Sequence, residues 1–453
     1  MGANEMAAPQ VRRLFGTDGI RGVAGEFPLN RETAFAVGVA LGNWIAEKCS
    51  DPEVVLGVDT RESGLWIAEY VAGGLDRAGV HPRFAGLITT PGIAHVARTG
   101  PFAAGVMISA SHNPYRDNGI KVIDHSGFKL ADETEQNLEA GIFAWLESRK
   151  TPVAKPLAAD PSLDRQYLDY LAGIMSEQLE GMRIVVDAAH GSATYLAPEL
   201  LQRLGGQVDC IHCAPDGKNI NLNCGSQHLE SLQTRVLAAG ADLGVAFDGD
   251  ADRALFVSRS GKAVDGDAVM LLCALPLHAM GRLTEVVATV MSNLGLERAL
   301  NRHGIGLVRT PVGDKYVLEE MLRRNAPLGG EQSGHIIFRD YATTGDGLLT
   351  ALRVIEIMRR CRQDLDQLTA ELVIYPQILL NVRVKERKPL DQLERVCAEV
   401  RRTEREFGEA GRVVVRFSGT EPLARVMVEG PEMDRVKLRA QAIAAAIQQE
   451  IGQ

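Results

Sequence analysis

The stretch from residue 105 to Lys121 holds side chains that could carry out covalent phosphoryl or acyl transfer. Residues 106–108 are apolar and predict a strand, and the proline and Asn-Gly pair that follow predict a loop after it. On this loop Ser111 stands beside His112, which would hold a hydroxyl nucleophile close to a base. Serine and asparagine also cap and turn chains in many proteins, so this stretch alone leaves a purely structural role open.

Three carboxylates at alternate positions, Asp248, Asp250 and Asp252, follow the apolar residues 243–247. Alternate side chains of an extended loop can point the same way and converge on one cation. An incomplete shell of hard oxygen ligands suits Mg²⁺, which keeps places for water and a phosphate oxygen. The rival is a Ca²⁺ loop of the EF-hand type, but the later glycine and closing glutamate of that motif are missing. The pattern therefore predicts a magnesium site, with a plain acidic turn as the alternative.

Three further loops carry groups that could bind a polar or anionic ligand. In residues 329–335, glycines surround Glu331 and Ser333. These side chains can accept hydrogen bonds from, and donate them to, neighbouring hydroxyls of a sugar, but a plain polar turn explains the stretch equally well. In residues 416–425, two arginines, two hydroxyls and backbone N–H groups together suit a phosphate dianion. The glycine-rich residues 15–22 would let the backbone approach a ligand, with Arg21 as a fixed cation. Taken alone, this loop slightly favours the alternative, a surface turn with a solvated arginine.

Alternating strands and helices must position these loops. Buried-strand patterns at residues 54–58, 184–187 and 286–291 are each followed by a polar turn and a helix pattern, which indicates mainly parallel sheets covered by helices. This recurrence predicts three similar α/β domains with mixed or parallel sheets. After residue 376, alternating apolar residues and a closing helix predict a smaller α+β domain. The predicted domains are residues 1–160, 161–264, 265–373 and 374–453, which carry the serine, acidic, Glu331 and phosphate loops in that order.

Composition excludes several classes of protein. The 453 residues are 45% hydrophobic and 24% charged, ordinary values for a globular protein. A net charge of −9 with scattered basic residues argues against nucleic acid as a partner, and no apolar run is long enough to cross a membrane. Seven cysteines without framework spacing suggest a reducing cytosol. We interpret the lone C-x-x-C at Cys210 and Cys213 as structural, with redox or metal chemistry as the alternative.

Four loops of this chain resemble the four signature loops of the α-D-phosphohexomutases, in the same order. They are the serine loop, Asp248-Gly-Asp-Ala-Asp-Arg253, Gly330-Glu-Gln-Ser-Gly-His335 and Ser418-Gly-Thr-Glu-Pro422. Stretches such as Met291-Ser-Asn-Leu-Gly-Leu-Glu297 are similar to the bacterial branch of that family that acts on glucosamine phosphates. The resemblance covers nearly the whole chain. It implies three α/β domains and a C-terminal lid domain around one central cleft, each contributing a loop, and a possible homodimer.

Carried onto this sequence, the resemblance makes Ser111 the phosphorylated nucleophile and a ligand, with Asp248, Asp250 and Asp252, of one Mg²⁺ per active site. The catalytic residues that it implies are Arg21, Ser111, His112, Lys121 and His335. The substrate-binding residues that it implies are Arg253, Glu331, Ser333, Arg416, Ser418, Gly419, Thr420 and Arg425.

The resemblance implies a cytoplasmic isomerase that interconverts glucosamine 6-phosphate and glucosamine 1-phosphate. The reaction would pass through a phosphoserine and glucosamine 1,6-bisphosphate, which also serves as activator, and would feed synthesis of UDP-N-acetylglucosamine and cell-wall precursors. The alternative is a phosphoglucomutase/phosphomannomutase with the same mechanism. From other classes, a Mg²⁺-dependent phosphatase should hydrolyse its phosphoenzyme quickly, and an intact nucleophile argues against a silent sugar-phosphate sensor.

Two positions depart from the family pattern. Pro311 stands where many relatives have a lysine, and Phe417 replaces a basic residue often found beside the phosphate-loop serine. Arg309 and Lys315 are the candidate substitutes for the missing lysine. Neither departure touches the nucleophile or the acidic loop.

Overall fold

The computed structural model describes residues 14–16, 18–418 and 422–453. Within these ranges the chain forms three α/β units and then a smaller unit with a three-stranded sheet, which confirms the predicted fold class. None of the described helices combines the length and the apolar character that crossing a membrane requires.

The first unit contains the predicted serine loop. Its strands are β1 (Phe15–Gly16), β2 (Gly19–Val23), β3 (Glu53–Val58), β4 (His81–Leu87), β5 (Phe102–Ile108) and β6 (Asp117–Asp124). Its helices are α1 (Arg31–Ala46), α2 (Gly64–Arg77), α3 (Thr90–Thr99) and α4 (Asp132–Glu147). Asn30 caps the N-terminus of α1, because its side chain accepts a hydrogen bond from the Thr33 N–H at 2.9 Å.

The second unit contains the acidic loop. Its elements are α5 (Pro161–Ile174), β7 (Arg183–Asp187), α6 (Ala193–Arg203), β8 (Gln207–Ile211), α7 (Glu230–Ala239), β9 (Leu243–Phe247), β10 (Ala254–Ser258) and β11 (Ala263–Val264).

The third unit contains the Glu331 loop. Its elements are α8 (Gly266–Ala279), β12 (Glu285–Thr289), α9 (Leu294–Arg302), β13 (Gly306–Thr310), α10 (Asp314–Arg324), β14 (Leu328–Gly330), β15 (Ile336–Phe338), α11 (Gly347–Cys361) and α12 (Leu365–Leu368).

The last unit contains the predicted alternating strand and closing helix. Its elements are β16 (Gln377–Arg383), α13 (Glu394–Phe407), β17 (Arg412–Phe417), β18 (Leu423–Glu429) and α14 (Met433–Ile451). The strands pair antiparallel in the order β16-β18-β17.

The first three sheets share one plan. Each has a parallel core, namely β4-β3-β5, β8-β7-β9 and β13-β12-β14. An antiparallel strand pairs with the third strand of each core: β6 with β5, β10 with β9 and β15 with β14. The predicted mixed or parallel sheets are therefore mixed, with parallel cores and antiparallel edges. The reason is loop length: residues 109–116, 248–253 and 331–335 are too few for the crossover that a parallel neighbour needs.

These three connections are the serine, acidic and Glu331 loops. Each follows the carboxyl end of a parallel-core strand, where open α/β sheets bind their ligands. The plan of the sheets thus places the three loops at equivalent positions in the three units.

The apolar cores hold these units together. Val54 and Leu56 of β3 pack with α1 and α2, whereas the intervening Val55 faces the opposite side of the sheet. The core on that opposite side continues into the second and third units, through Phe247 and Val286 among others. The last unit has a separate core around Val426 and Ile443. The first three units therefore form one continuous scaffold for their loops.

Candidate active site

Ser111 lies at the tip of the β5–β6 loop with its side chain aimed at the acidic loop. Its hydroxyl donates to Asp248 Oδ2 at 2.6 Å, and His112 Nδ1 lies 3.3 Å from the same hydroxyl oxygen. The residue is buried and adopts the left-handed backbone conformation, with φ of 53°. This conformation is uncommon for a residue with a side chain, so the surrounding structure must hold it in place.

The three aspartates of the acidic loop converge as predicted. One carboxylate oxygen from each of Asp248, Asp250 and Asp252 lies within 4.8 Å of the other two, and all three residues are buried. Burial, followed by the charges of the other two aspartates, raises the pKa of Asp248 well above its usual range. Within the described residues, the Oδ1 atoms of Asp250 and Asp252 are buried and have no hydrogen-bond partner. Buried, unpaired carboxylate oxygens beside other carboxylates fit a hard divalent cation.

Gly249 allows the serine and acidic loops to approach each other. A Cβ atom at this position would lie 2.5 Å from the Ser111 carbonyl oxygen. A side chain there would therefore push Ser111 away from the carboxylates.

A buried lysine and an aspartate complete the charged cluster beneath the serine. Lys121 Nζ lies 2.8 Å from Asp250 Oδ2 and 2.9 Å from Asp18 Oδ2. Burial disfavours the charged lysine, but Asp18 and Asp250 outweigh it and raise the pKa of Lys121. Burial likewise disfavours the charge of Asp18, but Lys121, Lys129 and Arg21 hold its pKa well below the usual range. Asp18 was not predicted, although it lies three residues before Arg21 in the same glycine-rich loop.

A cavity of about 430 Å³ opens over this cluster. Its lining comes from all three α/β units and includes the predicted residues Arg21, Ser111, His112, Asp252, Arg253, Glu331 and His335. Among described residues, the Nε atoms of the Arg21 and Arg253 guanidinium groups are buried without hydrogen-bond partners. Burial, together with Arg253 and Arg21, lowers the pKa of His112 to about 4, so its ring is neutral at neutral pH. The cavity therefore offers cations to an anionic ligand directly above Ser111.

The Glu331 loop forms the opposite wall. Ser333 Oγ donates to Glu331 Oε2 at 3.3 Å, and the Gly313 N–H donates to Glu331 Oε1 at 3.2 Å. His335 Nε2 accepts from the Gly345 N–H at 3.0 Å, so the ring proton is on Nδ1, which lies 3.6 Å from Asp252 Oδ2. Glu331 and His335 line the cavity, whereas the predicted Ser333 does not and contacts Glu331 instead.

The predicted phosphate loop belongs to the last unit and does not line this cavity in the described structure. Arg416 and Arg425 are direct partners across β17 and β18, so their side chains project from the same face of the sheet. Burial and the neighbouring Arg425 lower the pKa of Arg416. Like charges placed opposite each other are unfavourable unless an anion offsets them. Ser418 is buried, and Gly419 and Thr420 lie outside the described residues.

Neither candidate substitute for the missing lysine lines the cavity. Arg309 donates to the Ser292 carbonyl at 2.7 Å and pairs with Glu297, and Lys315 pairs with Asp132. Pro311 is likewise absent from the lining, whereas Val312 and Gly313 belong to it. Phe417 packs against the core of the last unit.

Three residues that the sequence did not single out support the cavity. Thr90 donates to Asp250 through its hydroxyl, at the start of α3. Lys129 bonds to Asp18 and, at 2.6 Å, to Asp314 of the third unit. Nothing in the sequence pattern pairs Lys129 with Asp314, because they are brought together only by the packing of two units.

None of the cysteines lines this cavity. All seven lie in the described ranges and are free thiols. Asp187, His212 and Cys224 come close together, but the Asp187 carboxylate already accepts from His212 Nδ1 at 2.9 Å and from the Gly225 N–H at 3.0 Å. Cys213 Sγ donates to the Cys210 carbonyl at 3.5 Å, which fits the structural interpretation of the C-x-x-C.

The chain is similar to known proteins at the level of domains, whole chains and folds. The domains of the phosphoglucomutase/phosphomannomutase family match in order: alpha/beta/alpha domain I at residues 12–149, domain II at 165–261, domain III at 265–375 and the C-terminal domain at 379–446.

Whole-chain relatives include the phosphoglucosamine mutase of Solibacter usitatus, 60% identical over 97% of this chain and 99% of the relative. The phosphoglucosamine mutase of Koribacter versatilis is 49% identical over 98% of each chain. Among solved structures, a phosphoglucomutase/phosphomannomutase family protein from Burkholderia thailandensis has a TM-score of 0.79 at 24% identity, covering 96% of this chain and 97% of that one. The N-acetylphosphoglucosamine mutase of Aspergillus fumigatus, in complex with GlcNAc-6P and magnesium, has a TM-score of 0.66 at 18% identity, covering 97% and 96% of the two chains.

Proposed function

The chain belongs to the phosphoglucomutase/phosphomannomutase family, and we propose that it interconverts glucosamine 6-phosphate and glucosamine 1-phosphate, the phosphoglucosamine mutase reaction. The observation that carries this proposal is the buried Ser111 hydroxyl, 2.6 Å from Asp248 Oδ2, in a cavity lined by arginines. The near full-length relatives of 60% and 49% identity support glucosamine as the sugar.

In the first half of the reaction, phospho-Ser111 gives its phosphoryl group to O1 of glucosamine 6-phosphate. The bond from phosphorus to Ser111 Oγ breaks, the bond from phosphorus to O1 forms, and the proton of the sugar hydroxyl ends on Ser111 Oγ. His112 Nδ1, 3.3 Å from that oxygen, is positioned to carry the proton. Glucosamine 1,6-bisphosphate then turns around, returns its 6-phosphoryl group to Ser111 and leaves as glucosamine 1-phosphate.

Phosphoryl transfer depends on charge neutralisation and in-line positioning. The acidic loop would hold one Mg²⁺ through Asp248, Asp250 and Asp252, together with an oxygen on Ser111. The ion would supply positive charge to the transferring group. Arg21 and Arg253 reach the cavity above the serine and would contact phosphate oxygens. Lys121 is buried among Asp18 and Asp250 and would hold the carboxylates in place.

The sugar and its non-reacting phosphate need separate binding groups. Glu331 and Ser333 would hydrogen-bond the sugar hydroxyls, and His335 would hold Asp252 from the other side. Arg416, Ser418, Thr420, Arg425 and the backbone at Gly419 would bind the distal phosphate. A site that recognises phosphate rather than sugar can serve both orientations of the bisphosphate.

The last unit would close over the bound sugar and exclude water from the phosphoenzyme. Asn293 of the third unit holds the segment that leads to the last unit. Its side chain accepts a hydrogen bond from the Tyr375 N–H and donates one to the Tyr375 carbonyl, each at 2.9 Å. The expected pivot is therefore residues 375–376. We place the enzyme in the cytoplasm, as a homodimer, where its product would feed UDP-N-acetylglucosamine synthesis.

The test is a coupled mutase assay that compares glucosamine, glucose and mannose 6-phosphates, each with its 1,6-bisphosphate present. The proposal expects the highest kcat/KM for glucosamine 6-phosphate. Faster turnover of glucose or mannose 6-phosphate would favour the phosphoglucomutase/phosphomannomutase alternative.

A further inference from the structure

The left-handed conformation of Ser111 requires an explanation beyond the contacts of its hydroxyl. A residue with a side chain rarely adopts this conformation, because its Cβ atom comes too close to the following carbonyl oxygen. The hydrogen bonds of the Ser111 backbone identify the groups that hold it there.

The first group is Arg61, which follows β3 and has no exposed side-chain surface. Its Nη2 donates to the carbonyls of Ser111 and Asn113, each at 2.9 Å. Its Nη1 donates to the carbonyls of Pro114 and Asp117. Its Nε donates to Asp59 Oδ2 at 2.9 Å. All five N–H bonds of a planar guanidinium are therefore used, four of them on the backbone of the serine loop.

The second group is Asn221, which comes from the second unit. Its Nδ2 donates to the Ser111 carbonyl at 2.9 Å and to the Asn113 carbonyl at 3.1 Å. Its own N–H donates to the Ala189 carbonyl at 2.9 Å, which fixes it to the loop after β7. The Ser111 carbonyl is therefore held by side chains from two different units.

The N–H of Ser111 is fixed through the same arginine. It donates to Ser109 Oγ at 2.9 Å, and that hydroxyl donates to Asp59 Oδ2 at 2.6 Å. Asp59 is in turn the ion-pair partner of Arg61. Both sides of the Ser111 backbone thus connect to one buried ion pair.

We propose that Arg61 and Asn221 are positioning residues, which fix the direction of the Ser111 side chain toward the acidic loop. Asn221 has a further effect, because it ties the nucleophile to the unit that carries the acidic loop. Neither side chain lines the cavity, so neither is expected to contact the sugar. This inference rests on the proposed phosphoryl transfer through Ser111.

Phosphoryl transfer is sensitive to such positioning, since a misplacement of about 1 Å can lower a rate by about 100-fold. We therefore expect Asn221→Ala to lower kcat by about 10- to 100-fold and to leave KM within about twofold of wild type. Asn221→Asp should lose at least as much, because a carboxylate of the same shape cannot donate to the two carbonyls. Arg61→Lys should also fail to restore kcat, because an ammonium group lacks the planar set of five donors.

The matched control is Asn219→Ala in the same loop. It removes the hydrogen bond that the Asn219 side chain donates to the Ala214 carbonyl at 2.9 Å and the one that it accepts from the Asp216 N–H at 3.0 Å. The experiment measures kcat, KM, melting temperature and the fraction of Ser111 phosphate delivered to water instead of sugar. If Asn221 positions Ser111, the Asn221 variants should have a lower kcat and should transfer more of the Ser111 phosphate to water. Their melting temperature should equal that of Asn219→Ala. A kcat equal to that of the control, or a rise in KM that accounts for the whole loss, would overturn the proposal.

Asn221 keeps the proposal testable if Arg61→Lys does not fold. The comparison uses the hexose phosphate that wild type turns over fastest. A preference for another sugar would then contradict only the proposed substrate. If the Asn221 variants turn over this hexose phosphate as fast as wild type does, only the positioning role is contradicted.

Discussion

The Ser111 hydroxyl lies 2.6 Å from Asp248 Oδ2, although the two residues are 137 positions apart in the chain. The contact joins the loop after β5 to the loop after β9, which occupy equivalent positions in their sheets. It places a hydroxyl nucleophile against the group of carboxylates that fits a divalent cation.

This relationship predicts that the isolated protein carries phosphate on Ser111. A nucleophile enclosed beside a cation site and shielded from water should retain its phosphoryl group between turnovers. Peptide mass spectrometry should find the phosphate at this serine, and Ser111→Ala should lower kcat by at least about 10³-fold. Ser148→Ala, which removes an exposed serine on the first unit, is the control. A fully active Ser111→Ala variant would refute the covalent mechanism.

The acidic loop predicts opposite effects of Asp248→Asn on stability with and without metal. In chelator the variant should melt at a higher temperature than wild type, because one of three crowded, buried negative charges is removed. Added Mg²⁺ should stabilise wild type more than the variant. The kcat of the variant should fall by at least about 100-fold. Equal Mg²⁺-dependent shifts in the two proteins, or full activity in chelator, would show that Asp248 does not hold a metal.

The arginine pair of the last unit predicts a loss that is symmetric in the two reaction directions. Arg425→Ala would remove the proposed charge-assisted contact with the distal phosphate, and we expect a loss of ~1.5–3 kcal/mol, or about 10- to 150-fold in kcat/KM. The factor should be similar for glucosamine 6-phosphate and glucosamine 1-phosphate, and more bisphosphate should escape. Arg401→Ala, an exposed arginine of the same unit, is the control. A loss in one direction only, or no loss, would mean that other groups bind the distal phosphate.

A buried histidine away from the cavity predicts a dependence of stability on pH. His95 stacks on Tyr170 with ring centroids 4.2 Å apart, and burial, followed by the charge of Arg98, lowers its pKa from 6.5 to about 4. Between pH 4 and pH 6.5 the His95 imidazole binds a proton in the unfolded chain but not in the native protein. The stability from this residue is therefore complete above pH 6.5 and is lost as the pH falls toward 4.

The loss from this histidine at pH 5 is about 2 kcal/mol. His95→Phe, which keeps a ring on Tyr170, should reduce the difference in unfolding free energy between pH 7.5 and pH 5 by that amount. Urea unfolding at the two pH values measures it. His81→Phe, at a largely exposed ring, controls for the loss of an imidazole. An unchanged pH dependence in His95→Phe would exclude this residue as its source.

The sequence predicted the parts of the site that are local in the chain. The strand before Ser111 and the alternating aspartates are both set by short patterns, and the structure brings them together. The sequence predicted mixed or parallel sheets but not which strands are antiparallel, because an apolar run such as β10 does not reveal the direction of its neighbour. The length of the loop before each of these strands was the available signal.

The supporting contacts could not be read from the sequence. Arg61 lies in a polar turn that resembles many others, and only the fold directs its guanidinium group to four carbonyls of the serine loop. Asn221 and Lys129 reach their partners across two units. Such pairs depend on tertiary packing, which leaves no periodic pattern in one chain.

The most direct test of the mechanism follows the phosphoryl group itself. Enzyme that carries isotopically labelled phosphate on Ser111 is mixed with unlabelled glucosamine 6-phosphate and quenched within one turnover. The mechanism predicts that the label leaves Ser111 and appears at position 1 of glucosamine 1,6-bisphosphate and glucosamine 1-phosphate. Formation of unlabelled glucosamine 1-phosphate while the label stays on Ser111 would contradict it.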